Sequence, residues 1–172
     1  MATIYSYDNG LATLGRNVLN QHHTHLADVR VEFVFRDKAS VSHGRDVWGK
    51  ARKVTGMAAF LALPKDDAPD YIGDAEEVEP FFVIEIAHNV WEVLTGKQRL
   101  ALLDHELSHC RVRFDGEKAL LEVAPHDLEE FEGVIRRNGL WNDSARTFTK
   151  VAADHVDELQ LNLLAGDGDG GD

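Results

Sequence analysis

Apolar and polar positions change rhythm several times along the chain, and each change marks an element. In "LATLGRNVLNQHH" (Leu11–His23) the apolar residues Leu11, Leu14, Val18 and Leu19 fall at the spacing of an amphipathic helix. "DVRVEFVFR" (Asp28–Arg36) alternates instead, with Val29, Val31, Phe33 and Phe35 on one side, which predicts a half-buried strand. "KARKVTGMAAFLAL" (Lys50–Leu63) starts β-branched and turns alanine-rich, so its pattern leaves strand and helix both open. "PKDDAPDYIGDAEEVEP" (Pro64–Pro80) is polar and punctuated by proline, the composition of a surface loop. "FFVIEIA" (Phe81–Ala87) is almost wholly apolar and predicts a strand covered on both faces.

A helix is expected next. Thr95 followed by Gln98 fits a capping box, in which each side chain satisfies the other's orphan backbone donor. Leu100, Leu103 and Leu107 form the stripe expected to dock on the sheet; Ala101, His105, His109 and Val112 form the stripe beside it. "RVRFDGEKALLEV" (Arg111–Val123) then reads as two strands around the turn signal Asp115-Gly116. "PHDLEEFEGVIRRNG" (Pro125–Gly139) reads as a second helix, opened by Pro125, acidic in its first turns, basic in its last and ended by Gly139.

Composition narrows the class. The chain has 172 residues, 44% of them hydrophobic and 28% charged, and reads as one globular domain over residues 1–165 with a disordered Gly/Asp tail over 166–172. No apolar run approaches the roughly 18–20 residues of a membrane span. The N-terminal residues lack the basic start and apolar core of a secretory signal. One cysteine, Cys110, excludes an internal disulfide framework and suits a reducing compartment, so a cytoplasmic location (in a bacterium or a phage-infected host) is expected. A formal net charge of −12 disfavours binding to a nucleic-acid backbone, although "GRDVWGKARK" (Gly44–Lys53) is locally basic.

The chemistry is concentrated in His105-Glu106-Leu107-Ser108-His109, an H-E-x-x-H pattern. Histidines four apart on a helix present ring nitrogens to one Zn²⁺ at about 2.0–2.1 Å. Glu106 points about a quarter-turn away from His105, too far round to join the same shell. It is still within reach of a water there, which fits a general base. A catalytic zinc takes three protein ligands and an open position. His126, 17 residues after His109 at the start of the second expected helix, is the first candidate for the third. Glu129 and Glu130 compete with it; alternatively Glu130, four residues on from His126, orients that ring from behind. The plain alternatives are a polar helix face and a solvated histidine at a helix start.

"ALLDHELSHC" (Ala101–Cys110), the hairpin, "PHDLEEF" (Pro125–Phe131) and "GLW" (Gly139–Trp141) together resemble the putative phage metallopeptidase family. The stretch is more distantly similar to SprT/Spartan-like zinc metallopeptidases. The likeness spans about residues 80–141 and extends weakly back to "VRVEFVF" and "GKARKVTG". It implies a zincin-like α+β fold: a small, twisted, mainly antiparallel sheet against the H-E-x-x-H helix, with N-terminal and C-terminal helices. It further implies His105, His109 and His126 as zinc ligands, Glu106 as the catalytic residue, and protein or peptide substrates. Asp127 departs from the glycine of the distant relatives.

Other candidates read more plainly. Gln21–His25, "QHHTH", carries three histidines without a carboxylate partner and is expected to be a solvated helix end. Cys110 is expected to be a small buried hydrophobe, Asp104 a helix charge beside the site, and Trp91 and Trp141 packing anchors. His155 is a candidate oxyanion donor only if the last helix folds back over the cleft. The expected function is zinc-dependent hydrolysis of peptide bonds, with Phe81–Ala87 or its neighbour offering an edge to an extended substrate. The alternatives are a catalytically inactive, zinc-stabilised binding module of phage origin acting on a host factor, and a metal-free acidic adaptor.

Overall fold

"FFVIEIA" becomes the strand on which the first part of the molecule is organised. The computed structural model describes residues 2–63, 78–116, 118–126, 135, 137, 140 and 143–166. Contacts divide the chain into two units, Met1–Pro125 and His126–Asp172. In chain order the first holds β1 (Tyr5–Ser6), α1 (Asn9–His22), a 3-10 turn (Thr24–Leu26), β2 (Val31–Arg36) and a ribbon of β3 (Ser40–Ser42) and β4 (Arg45–Val47). It continues with β5 (Gly49–Val54), α2 (Gly56–Leu61), β6 (Phe81–Ala87), α3 (His88–Trp91), α4 (Gly96–Ser108), β7 (Cys110–Asp115) and β8 (Lys118–Val123). The ambiguous Lys50–Leu63 stretch is thus both things in turn, a strand and then a short helix, with Gly56 at φ +58° at the junction.

The fold is α+β, and its main sheet runs β1-β2-β6-β5. β1 and β5 pair antiparallel to their neighbours, but the central pair β2–β6 is parallel, in register from Val31↔Phe82 to Arg36↔Ala87. The sheet is therefore mixed and mostly antiparallel, as expected, with one parallel pair at its centre. A parallel pair needs a long crossover, and the ribbon, β5 and α2 between β2 and β6 provide it. β6 has neighbours on both sides, so both its ladders are used; the edges of the sheet are β5 and the two-residue β1. β6 is covered on both faces, as its composition requires. β2 is more buried than its alternation suggests, because Val34 and Arg36 on its second face are buried too.

One core joins the sheet to α1 and α4. Phe33, Phe82, Ile84 and Ile86 from the strands meet Leu11, Val18 and Leu19 of α1 and Leu103 and Leu107 of α4. Each such side chain contributes roughly 1.5–3 kcal/mol by leaving water. Asp8 caps α1 by accepting from the Leu11 amide at 2.8 Å. Gly15 lets α1 lie close on β2: a Cβ there would stand 2.6 Å from the Phe33 ring.

The capping box at Thr95–Gln98 is present, and it starts α4 at Gly96. The buried face of α4 is turned from the expected stripe: Leu103 and Leu107 are buried with Glu106, while Leu100 is exposed. On the same side Arg99 lies over the Trp91 ring at 5.2 Å and donates to the Trp91 carbonyl at 3.0 Å. Trp91 itself packs against the core. Val112 leaves the expected histidine stripe because the helix has ended and β7 begun. β7 and β8 form the expected hairpin, closing at Asp115↔Lys118 with Gly116 at φ +64°.

In the second unit, Ile135 and Arg137 are helical and α5 spans Asp143–Gly166. Arg146 donates to the Leu140 carbonyl at 2.8 Å near its start. Most of the loop and of the second helix expected at Pro64–Pro80 and Pro125–Gly139 lies outside the described residues. So do Asp127, Glu129, Glu130, Trp141 and the tail from Asp167.

Candidate metal centre

His105 sits exposed in the last turn of α4, and His109 is the half-buried residue that ends the helix. The four-residue step stacks them: their rings meet edge to face with centroids 5.1 Å apart. His126 comes three residues after β8. The strand brings it here through Ala124, whose N–H donates to the His109 carbonyl at 2.7 Å. His109 Nδ1 in turn donates to the Ala124 carbonyl at 2.6 Å. That reciprocal pair, around a buried Ala124, fastens the end of β8 to the end of α4.

One ligand atom from each of His105, His109 and His126 lies within 4.8 Å of the other two. These three histidines could hold a metal ion. A carbonyl only accepts, so His109 Nδ1 carries a proton and the lone pair of its neutral ring is on Nε2. A tetrahedral zinc site with bonds of about 2.0–2.1 Å places ligand atoms roughly 3.4 Å apart, so this spread suits a single ion. A backbone carbonyl behind a candidate ring is also the support that metal-bound histidines use.

Glu106 does not share the exposure of His105. Its residue is 5% exposed, and its carboxylate lies over Gly49 of β5 and accepts a hydrogen bond from the Ala51 backbone. Burial pushes its carboxyl up to about 7 from the usual 4.5, with His109 and the Ala51 hydrogen bond acting in the opposite direction. A carboxyl poised near neutrality, one residue from His105, is suited to exchange a proton at physiological pH.

The neighbouring groups sort by contact. Cys110 is fully buried, its Sγ donating to the Glu106 carbonyl at 3.8 Å, and burial followed by the charge of Glu106 pushes its thiol up to about 12. It is the inert small hydrophobe the sequence predicts. "QHHTH" ends α1 and is mostly exposed, as expected, but its histidines are not idle. His23 is buried and donates through Nε2 to Asp104 Oδ1 at 2.7 Å, while His25 Nε2 donates to the Cys110 carbonyl at 3.1 Å. The acceptors flank the His105–His109 segment, so α1 and the turn after it hold α4 at both ends of the motif. His22 and His25 are exposed, and of the three only His23 is buried. His155 is exposed on α5.

Sequence reasoning missed His23, Ala124, Gly49 and Ala51. For His23, Ala124 and Ala51 no local signal exists, because their partners are distant in the chain or on the backbone. A glycine before a strand-like "KARKV" was legible as a point of close approach. Among the described residues, no helix is long and apolar enough to cross a membrane.

The family model of the putative phage metallopeptidases matches residues 4–151, most of the chain, including His105, His109 and His126. No curated protein and no solved structure matches. The chain belongs to the putative phage metallopeptidase family.

Proposed function

We propose that this protein is a zinc-dependent peptidase in which His105, His109 and His126 hold the ion and Glu106 acts as general base. The convergence of three imidazole nitrogens beside a buried carboxylate carries the reading, and family membership supports metal-dependent proteolysis. An ion held there supplies Lewis acidity, polarising a peptide carbonyl and acidifying water.

The chain's own residues do the rest. His109 is oriented by Ala124, which keeps Nε2 as its ligand atom. Glu106 receives a proton on a carboxylate oxygen and returns it to the leaving amide nitrogen, and its burial keeps that basicity high. β5 passes beneath Glu106 and has no strand paired on its outer side among the described residues, so an extended peptide can add to it beyond Ala51, whose N–H the Glu106 carboxylate takes. Lys50 and Lys53 are exposed on opposite faces of β5 in an otherwise acidic protein.

The test compares wild type with Glu106→Gln in zinc-loaded protein, following cleavage of fluorescein-labelled casein. The substitution retains one equivalent of zinc and lowers turnover by about 10²–10⁴-fold, the range for loss of a general base. Undiminished turnover in Glu106→Gln contradicts the proposal. A variant that binds zinc and keeps the full biological effect without cleavage supports the binding-module alternative.

A further inference from the structure

Gly49 has no conformational reason to be glycine. It lies in the paired ladder of β5, opposite Ile86, and the positive-φ glycines among the described residues are Gly44, Gly56 and Gly116. Inside a strand, glycine loses more freedom on folding than any other residue and offers no side chain to pack. Its reason is spatial. A Cβ built at Gly49 would stand 2.7 Å from both Cγ and Cδ of Glu106 and closer still to Oε1. Those atoms are the stem and head of the side chain, so the whole carboxylate would have to leave. It has little room to do so, since Glu106 is itself buried, 5% exposed. The Ala51 N–H, two residues along the same strand, fixes the other side of the seat.

We propose that Gly49 is a positioning residue for the reaction, keeping open the space on β5 in which the Glu106 carboxylate is held for proton transfer. The catalytic consequence rests on Glu106 being the general base; the placement does not. Proton transfer requires hydrogen-bond reach, and a misplacement of about 1 Å costs on the order of 10²-fold in rate. No other small side chain serves, since even alanine brings the offending Cβ.

The test uses the full-length, zinc-loaded chain with Gly49→Ala, and Gly96→Ala as control, because a Cβ at Gly96 meets nothing within 4 Å. With labelled casein, Gly49→Ala lowers kcat about 100-fold or more while KM stays within about threefold and zinc content is unchanged. Gly96→Ala behaves as wild type. Independently of activity, the ¹H–¹⁵N signal of Ala51 reports the hydrogen bond to the carboxylate: Gly49→Ala shifts it upfield and Gly96→Ala leaves it in place. A stability cycle covers a poorly folding single variant. Glu106→Asp removes one methylene, so Gly49→Ala lowers the Tm much less in the Glu106→Asp background than in wild type.

An unmoved Ala51 amide, or equal Tm losses in both backgrounds, overturns the placement. Unchanged kcat in Gly49→Ala overturns the positioning role. Wild-type turnover in Glu106→Gln overturns the proposed function and, with it, the catalytic consequence for Gly49, while the amide signal and the cycle still decide the placement.

Discussion

Two sets of three histidines behave in opposite ways. His22, His23 and His25 crowd into four positions, whereas His105, His109 and His126 spread over 22, yet only the dispersed set brings its ligand atoms within 4.8 Å of one another. The crowded set is spent on contacts: His23 on Asp104, His25 on the Cys110 carbonyl, His22 on solvent. Density in sequence is therefore a poor guide to a metal centre. What counts is helix register for two ligands and a return of the chain for the third. The two sets are nonetheless linked, because the crowded one grips α4 just before His105 and just after His109.

The sharpest way to break this comparison is to delete one member of each set. His109→Ala lowers zinc affinity by well over 100-fold, whereas His25→Ala, like other groups that only support a ligand's surroundings, stays within roughly 10–100-fold. Competition against a chromophoric chelator reads both. Equal losses would mean that the crowded set also supplies ligands.

Stability should invert the order. His23→Ala removes a buried ring and leaves Asp104 without that partner, which costs about 1–3 kcal/mol in urea unfolding of the metal-free protein. His105→Ala, at an exposed position, changes it by no more than about 0.5 kcal/mol. A His105→Ala loss as large as that of His23→Ala would erase the distinction between gripping and ligating residues.

A dependence on pH separates Glu106 from both sets. In metal-free protein its folded pKa of about 7 lies above the usual 4.5. Below about 4.5 both states are protonated and the burial carries no charge penalty. Between about 4.5 and 7 the unfolded chain ionises first, so this group's contribution to stability falls as pH rises; above 7 the full penalty is present. Glu106→Gln should flatten that part of the Tm–pH curve, and His22→Ala should leave it intact. An unchanged slope in Glu106→Gln would show that another group sets it.

Much of this was legible in the chain, for identifiable reasons. The capping box, the H-E-x-x-H spacing, the doubly covered strand and the Asp115-Gly116 turn are local, and local rules fix them. The parallel β2–β6 pair depends on a crossover of more than forty residues, and no short window reports it. Periodicity puts Leu100 on the buried face because it gives a stripe but not its rotation, and the helix buries Glu106 beside Leu103 and Leu107 instead. His126 was named from its distance after His109, but the Ala124–His109 pair that brings it in is made by backbone atoms, which carry no sequence signature.

The third arm is the most direct test of the whole account. Zinc content and affinity should be measured for wild type, His105→Ala, His109→Ala, His126→Ala and Glu130→Ala, each purified without added metal. The account predicts one zinc per wild-type chain, its loss in all three histidine variants, and its retention in Glu130→Ala. Zinc retained at full affinity in His126→Ala, or lost in Glu130→Ala alone, would contradict it.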